Sequence, residues 1–178
     1  NDHMEILNLS RTAVKSRLKT KNIQGKYFGN KIYTNHDDGR IIFGEPKINK
    51  VVSIHAAKGG VGKSTLAFSI SSCAALFGFK ILAIDLDMQG NLSRAFGKLA
   101  SDNKIFLDIL KKECTVKDAI KNVCPGIDLI PSSIRSAKLA RYLLTEGKRV
   151  DKAYSKIINP LKEDYDLIII DLPPSIDL

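Results

Sequence analysis

A stretch near residue 60 combines glycines, a lysine and two hydroxyls in a spacing that suits phosphate binding. It follows a β-branched run that begins at Val51, and an apolar, helix-like segment begins at Ser64. Glycines let backbone N–H groups turn toward an anion, and a helix N-terminus adds partial positive charge. The lysine supplies a full charge for the β- and γ-phosphates, and the first hydroxyl, that of Ser64, can ligate Mg²⁺. The residues expected to bind a nucleotide here are Gly59, Gly60, Val61, Gly62, Lys63, Ser64 and Thr65.

One position in this loop departs from the usual phosphate-binding pattern. Ala57 stands where that pattern has glycine, five residues before Gly62, and a second lysine, Lys58, follows it. With this change the residues AKGGVGKST resemble the deviant Walker A motif of the ParA/MinD family of P-loop ATPases. The resemblance implies that Lys63 is the ordinary P-loop lysine. It also implies that Lys58 is catalytic and crosses a dimer interface to touch the nucleotide bound by the other subunit.

Two aspartates follow the next apolar run, at the point where ligands of open α/β sheets bind. The run Lys80–Asp85 is continuous, as expected for a parallel strand covered on both faces. The segment DLDMQGN that begins at Asp85 resembles the DxDPQGN signature of the same family, with Met88 in place of proline. The resemblance implies that Asp85 supports the Mg²⁺ shell and that Asp87 orients the attacking water. The alternative is that both carboxylates only cap the next helix.

A further acid ends the last apolar run. The run Tyr165–Asp171 is predicted to form a fourth parallel strand and resembles a Walker B motif, in which Asp171 holds a water on Mg²⁺. The residues LPPS that follow resemble the switch II segment of the family. Four parallel strands are fewer than the five or six of the common doubly wound sheets. We therefore expect residues 49–178 to be a P-loop ATPase domain that lacks its C-terminal part.

The remaining periodicities predict a three-layer α/β domain with a mostly parallel sheet. A third strand is predicted over residues 127–130, and Gly78 is expected to end the helix that follows the phosphate loop. In a basic helix at 135–149, Leu139, Leu143 and Leu144 are expected to form the apolar side. Its cations either supplement a DNA surface or are simply exposed. Helices are predicted over residues 64–77, 105–112, 116–122, 135–149 and 150–161.

Residues 4–48 are predicted to form a separate basic module, after three residues (1–3) typical of a cloning remnant. Ser10 is a candidate N-cap for a helix whose apolar stripe contains Val14 and Leu18. A hairpin is predicted from Lys31–Thr34 and Arg40–Phe43, followed by a linker at 44–50. Helix and hairpin together resemble the helix-turn-helix and wing that precede the ATPase in some partition proteins. The alternative is a packing or dimerisation arm. The expected DNA contacts are Arg11, Lys15, Arg17 and Lys19.

Charge and composition favour an anionic partner and exclude several classes of protein. The net charge is +9, of which +5 lies in the first 50 residues. This excess of cations suggests an anionic partner such as nucleic acid, and the alternative is a basic surface that only solvent contacts. No apolar run approaches the ~20 residues of a membrane span. Cys73, Cys114 and Cys124 lack the spacing of a zinc site, and three cysteines do not indicate a disulfide framework. We therefore expect a cytoplasmic, nucleoid-associated protein without a membrane partner.

The resemblance implies a function as well as a fold. A ParA-type partition ATPase binds ATP with Mg²⁺ and dimerises as a sandwich around the nucleotides. The homodimer binds DNA and a ParB-like partner protein, and hydrolysis to ADP resets it. The alternatives are a MinD-like ATPase that cycles on and off a membrane, and a DNA-binding repressor whose ATPase domain only dimerises.

Overall fold

A five-stranded sheet between layers of helices forms the centre of the computed structural model, which describes residues 10–29, 31–44, 48–98, 102–147 and 149–174. The strands are β1 (Lys26–Phe28), β2 (Lys31–Tyr33), β3 (Lys50–Ile54), β4 (Ile81–Asp85), β5 (Lys121–Cys124), β6 (Ile127–Ile130) and β7 (Leu167–Asp171). The first helices are α1 (Arg11–Thr20), α2 (His36–Phe43), α3 (Lys63–Leu76) and α4 (Asn91–Ala95). The later ones are α5 (Phe106–Leu110), α6 (Val116–Ala119), α7 (Leu139–Thr145) and α8 (Val150–Leu161), and a 3₁₀-helix spans Ile134–Lys138.

The order of strands in the central sheet is β3-β7-β4-β6-β5. Strands β3, β7, β4 and β6 are parallel, and β5 pairs antiparallel with β6 at one edge. The predicted mostly parallel sheet with four parallel strands is therefore confirmed. In this register Asp171 is paired with Ile54 on one side and with Asp85 on the other. The carboxyl ends of β3, β7 and β4 consequently meet at one edge, where the predicted site residues lie.

Both faces of the sheet are covered, which explains the continuous apolar runs of β4 and β7. Side chains alternate between the faces, so successive residues of one strand belong to different core clusters. Leu82 and Ile84 pack in the cluster that contains Leu143 of α7 and Ile158 of α8. Their neighbours in sequence pack in the cluster of α3, together with Ala67. Helix α3, which follows the phosphate loop, therefore packs on only one of the two faces of the sheet.

Two predictions in the second half of the chain are wrong in part. The helix predicted over 116–122 begins with a capping box from Thr115 to Asp118 but ends at Ala119. The next residues form β5, because the chain turns through Gly126 with φ +81° and pairs back on β6. Glycine reaches that φ without steric strain, and the resulting antiparallel edge strand had no separate signal in the apolar pattern.

The single helix predicted over 135–149 is a 3₁₀-helix followed by α7. Leu139 and Leu143 are buried as expected. Leu144 is 72% exposed, so placing it on the apolar side was wrong. The change from three to 3.6 residues per turn rotates the helical faces, which explains the error.

In the N-terminal module the first helix is confirmed, but the predicted hairpin is wrong. Ser10 accepts a hydrogen bond from the Ala13 N–H at 3.2 Å, and Leu18 of α1 is buried. The residues predicted as the turn and second strand of the hairpin form α2 instead. Asn35 and Asp38 exchange hydrogen bonds of 2.8 and 3.1 Å as a capping box, which starts a helix where a turn was expected. The antiparallel pair is β1 with β2. Residues 45–47 of the predicted linker lie outside the described residues.

Helix α2 packs directly on the C-terminal end of α3. Arg40 donates from Nη1 to the Gly78 carbonyl and to Asp166 Oδ2, both at 2.9 Å. Phe43 and Phe77 pack edge to face with ring centroids 5.2 Å apart. A Cβ atom on Gly78 would lie 2.3 Å from the Arg40 backbone nitrogen, so the two backbones are in close contact. The module is therefore held against the ATPase-like domain by contacts besides its covalent connection.

Candidate functional site

The phosphate loop has the backbone geometry that its glycines require. Gly60 and Gly62 adopt φ of +74° and +86°, and a Cβ at either would meet nothing within 4 Å, which leaves the concave side open. Helix α3 begins at Lys63, one residue earlier than predicted. Gly62 is its N-cap and offers no side chain to the first N–H groups of the helix. These donors and the positive end of the helix can therefore receive an anion.

A cleft of ≈ 500 Å³ opens beside this loop. Most of the predicted nucleotide-binding residues line it, and so does Asp87. Lys63 is only 9% exposed, although it lines the cleft. Lys58 and Val61 are exposed and do not belong to the lining, which leaves the nucleotide contacts expected of them as predictions. The predicted residues that line the cleft are Gly59, Gly60, Gly62, Lys63, Ser64, Thr65 and Asp87.

Several residues of the cleft were not predicted as site residues. Gln89 and Asn91 belong to the segment DLDMQGN, so the motif itself carried the signal for them. Ala95 and Phe68 come from the helices α4 and α3, and Pro174 follows the strand that ends in Asp171. Phe68 and Ala95 had no local signal, because they meet only where the tertiary fold brings the elements together. Pro174 belongs to the segment LPPS, which the sequence does single out, but it was not predicted as a site residue.

Asp171 is a fully buried carboxylate at the end of β7. Neither of its oxygens has a well-formed hydrogen bond among the described residues. Burial raises the pKa of Asp171; the nearby Ser64 hydroxyl lowers it, the charge of Asp87 raises it further, and Lys63 lowers it. A buried carboxylate without a partner is costly, and a divalent cation would compensate it.

Asp171 and Ser64 therefore fit the Mg²⁺ expected from the sequence. Mg²⁺ in nucleotide sites is held by one or two protein oxygens, by phosphates and by water, so it needs no complete cage of side chains. The described ranges contain no cluster of three or more His, Cys, Asp or Glu side chains able to hold a metal.

The two aspartates after β4 have different surroundings. Asp85 accepts from the Asp87 N–H at 3.1 Å, and its other oxygen accepts from the N–H and hydroxyl of Ser93 at 2.8 and 2.7 Å. Burial raises the pKa of Asp85 to about 7, and these hydrogen bonds oppose the shift. Asp85 does not line the cleft, whereas Asp87 does and accepts from the Gln89 N–H at 2.9 Å. Asp85 thus fixes the loop that presents Asp87, and its link to Mg²⁺ stays a prediction.

Buried serines connect this loop to the end of β6. The Ser132 N–H donates to Ser93 Oγ at 2.8 Å, and the Ser132 hydroxyl donates to the Asp87 carbonyl at 2.6 Å. Ser132 and Ser136 hydroxyls are 2.7 Å apart, which extends the network into the 3₁₀-helix. The network fixes the backbone of Asp87 from a neighbouring strand. The contact between Ser93 and Ser132 could not be predicted from spacing, because the two serines are 39 residues apart and are brought together by the pairing of β4 with β6.

The predicted DNA contacts lie on α1, outside the lining of the cleft. Lys15, Arg17 and Lys19 are exposed there, and Arg11 is the first residue of the helix. None of the helices in the described ranges combines the length and apolar character needed to cross a membrane.

Comparisons with known proteins agree with this geometry. A family model described as an AAA domain matches residues 49–178. The sporulation initiation inhibitor protein Soj of Bacillus subtilis is 34% identical over 133 residues, 74% of this chain and 52% of its own length. The chromosome partitioning protein ParA of Caulobacter vibrioides is 33% identical over 135 residues, 72% of this chain and 49% of its own length. The chain thus spans about half the length of the curated relatives it matches.

A solved structure extends the likeness to the fold. Cobyrinic acid a,c-diamide synthase from Mycobacterium smegmatis, with a bound ATP analogue and magnesium, superposes with a TM-score of 0.65. Its sequence identity is 29%, and the match covers 71% of this chain and 52% of the synthase chain.

Proposed function

Because the chain belongs to the ParA/MinD family of P-loop ATPases, we propose that it is the nucleotide-binding part of a ParA-type DNA partition ATPase. One observation carries the proposal above all. The phosphate loop and Asp87 line one cleft, and the buried carboxylate of Asp171, which does not line it, ends the strand that lies between theirs. A curated relative named as a chromosome partitioning protein supports the partition role, and a fold relative solved with an ATP analogue and magnesium supports the binding of nucleotide and Mg²⁺.

In this proposal the loop binds the phosphates of ATP. The N–H groups at the start of α3 donate to phosphate oxygens, and the ammonium of Lys63 contacts the β- and γ-phosphates. Ser64 and Asp171 hold Mg²⁺, which neutralises negative charge on the phosphates when it is bound. The exposed Lys58 reaches the nucleotide of a second subunit and so makes dimerisation depend on ATP.

Hydrolysis then depends on Asp87, which orients water for in-line attack on the γ-phosphate. Its backbone is fixed by Asp85 and Ser132, so the carboxylate is presented to the cleft in one place. The ATP-bound dimer binds DNA, and the exposed cations of α1 supply phosphate contacts. A ParB-like partner protein and hydrolysis reset the cycle.

The test is phosphate release from Mg²⁺–ATP by the intact protein and by Asp87→Asn. Asparagine keeps the oxygen that accepts from Gln89 but has no negative charge. We expect unchanged ATP affinity and hydrolysis slower by about 10²-fold or more. Asp37→Asn, an exposed change on α2, is the matched control and should behave as wild type. Equal turnover by Asp87→Asn would refute the role of Asp87, and absence of ATP binding by the wild type would refute the proposed function.

A further inference from the structure

The two most exposed large aliphatic side chains in the described part of the chain belong to one helical segment. Ile134, at the start of the 3₁₀-helix, is 73% exposed, and Leu144 of α7 is 72% exposed. The 3₁₀-helix leads directly into α7, since Lys138 and Leu139 both have helical backbone angles. Isolated exposed leucines are common in proteins, so the relative placement of these two residues decides whether they form a surface.

Helical geometry puts them on one face. Residues advance about 120° each in a 3₁₀-helix and about 100° each in an α-helix. Over the path from Ile134 to Leu144 these rotations bring the two side chains back to the same direction, together with the exposed Ala137. The buried Leu139 and Leu143 fall on the opposite side. The aliphatic side chains therefore form a stripe roughly 17 Å long.

The segment that carries this stripe is fixed firmly to the domain. Arg135 donates from both terminal nitrogens to the carboxylate of Asp108, at 2.6 and 3.0 Å. The Ser136 hydroxyl lies 2.7 Å from that of Ser132, and Leu143 is fully buried. The segment is thus anchored by an ion pair, a hydrogen bond and core packing. Ile134 and Leu144 are held outward on a rigid element.

Exposed cations lie beside the stripe. Lys138 and Arg141 are both exposed, and the same helical geometry places them along one flank of the aliphatic residues. In a two-fold contact through this face, the cations of one copy would lie against the same cations of the other, which disfavours self-association at this surface. Nucleic acid would pair with the cations but would leave Ile134 and Leu144 against phosphates and water. An acidic segment with aliphatic residues would pair its carboxylates with the cations and would cover the aliphatic side chains of the stripe.

We propose that this surface, the 134–144 face, binds an acidic segment of a partner protein. The surface comprises Ile134, Ala137, Lys138, Arg141 and Leu144. Two aliphatic residues of the segment cover the ends of the stripe, and carboxylates between them pair with the cations. Aromatic and aliphatic anchors carry most of the affinity in such contacts, and the charges select the partner.

Fluorescence anisotropy with a synthetic peptide tests the proposal on the intact protein. The peptide is helical, with two leucines about eleven residues apart on one face and glutamates between them. A second peptide has lysines in place of the glutamates, and a 20-base-pair duplex is the third probe. We expect the glutamate peptide to bind at least tenfold more tightly than the lysine peptide. No binding of the glutamate peptide would overturn the proposal.

Two double variants locate the binding surface. Ile134→Ser with Leu144→Ser should weaken binding of the glutamate peptide by tenfold or more. Lys138→Glu with Arg141→Glu should reverse the preference, so that the lysine peptide binds better. Leu76→Ser, an equally exposed change on α3, should leave both affinities unchanged. Because all these side chains are exposed, urea unfolding should match that of the wild type and exclude a folding defect.

Three further outcomes would overturn the proposal. The first is equal affinity of the wild type and of the double variant Ile134→Ser with Leu144→Ser for the glutamate peptide. The second is binding of the duplex alone, abolished by the charge-reversing variant, which would identify a nucleic-acid surface. The third is loss of a sedimenting dimer in the serine variant without any effect on peptide binding, which would assign the face to a second copy of the chain.

Discussion

At the scale of single residues, Asp171 is the most informative position, because it is buried and lacks a hydrogen-bond partner among the described residues. We predict that Asp171→Asn reduces the Mg²⁺ dependence of ATP binding, since the cation loses the negative charge beside it. Titration of a fluorescent ATP analogue with Mg²⁺ and with EDTA measures the effect. Wild type should bind more weakly in EDTA, and the difference between the two buffers should be smaller for the variant. An undiminished Mg²⁺ effect in Asp171→Asn would contradict the assignment.

Lys58 permits a separate prediction, because it is exposed and outside the lining of the cleft. If it acts on the nucleotide of a second subunit, Lys58→Ala should bind ATP normally but remain a monomer. Sedimentation velocity with and without ATP distinguishes the two states. Lys117→Ala, an exposed lysine on α6, is the control and should dimerise as wild type does. A normal ATP-dependent dimer of Lys58→Ala would exclude the role across the interface.

The sequence predicted the residues of the cleft that belong to local motifs. Gly60, Gly62 and Lys63 are recognisable because a strand, a loop and a helix must follow one another within fifteen residues. Ser93 and Ser132 could not be predicted, because their contact depends on which strands are neighbours in the sheet. Spacing along the chain carries no information on that neighbourhood.

At the scale of elements, the ion pair of Arg135 with Asp108 joins the 3₁₀-helix to α5. Asp108 is 3% exposed and Arg135 is 40% exposed. Arg135→Gln should therefore lower the free energy of unfolding by about 1.5–3 kcal/mol, toward the lower value because water screens the exposed side. Arg149→Gln breaks a pair that is exposed on both sides and should cost measurably less, because water screens both charges. Urea unfolding at pH 7 measures both, and equal losses would contradict the prediction.

The same pair gives stability a defined pH dependence. Burial raises the pKa of Asp108, but hydrogen bonds from Arg135 and from the Ile105 N–H outweigh it, so the net pKa is below the ordinary value. The stabilisation is complete above about pH 4, the pKa of an unfolded aspartate, and is lost as pH falls through the folded-state pKa. The stabilities of wild type and Arg135→Gln should therefore converge at low pH. A difference that is constant from pH 7 to pH 2 would contradict this.

Elements with strong local signals were predicted, and elements decided by tertiary pairing were not. The strands β4 and β7 were recognisable because burial on both faces requires an uninterrupted apolar run. Strand β5 was predicted as the end of a helix, because its pairing with β6 depends on the turn at Gly126. Helix α2 was missed because its local sequence is typical of a different structure. The Asp-Gly sequence at residues 38 and 39 has the composition of a turn, but Asp38 instead completes a capping box.

At the scale of the whole molecule, the contact of Arg40 with Gly78 decides how the N-terminal module is held. Gly78→Ala should destabilise the protein more than Gly97→Ala by at least about 1 kcal/mol. Both glycines have positive φ, but a Cβ at Gly97 meets nothing within 4 Å, whereas one at Gly78 meets the Arg40 backbone. Both substitutions strain the backbone, so the difference between them measures the overlap of the new Cβ at position 78 with the Arg40 backbone. Urea unfolding measures the difference, and faster proteolysis of the first 44 residues should accompany it. Equal destabilisation would show that the contact is unimportant.

The close approach of Gly39 to the end of α3 also constrains how the gene can evolve. A Cβ on Gly39 would lie 2.7 Å from the Leu76 carbonyl oxygen and 3.0 Å from the Gly78 nitrogen, and one on Gly78 would lie 2.7 Å from the Gly39 carbonyl carbon, so neither position has room for a side chain. An N-terminal module joined only by a linker could be exchanged by recombination among relatives as a self-contained unit. Here a transplanted module would dock only if it carried glycine at the position of Gly39 and a cation at that of Arg40. The two parts of this chain are therefore expected to be inherited together. Substitutions where α2 contacts the end of α3 should be correlated between the two parts.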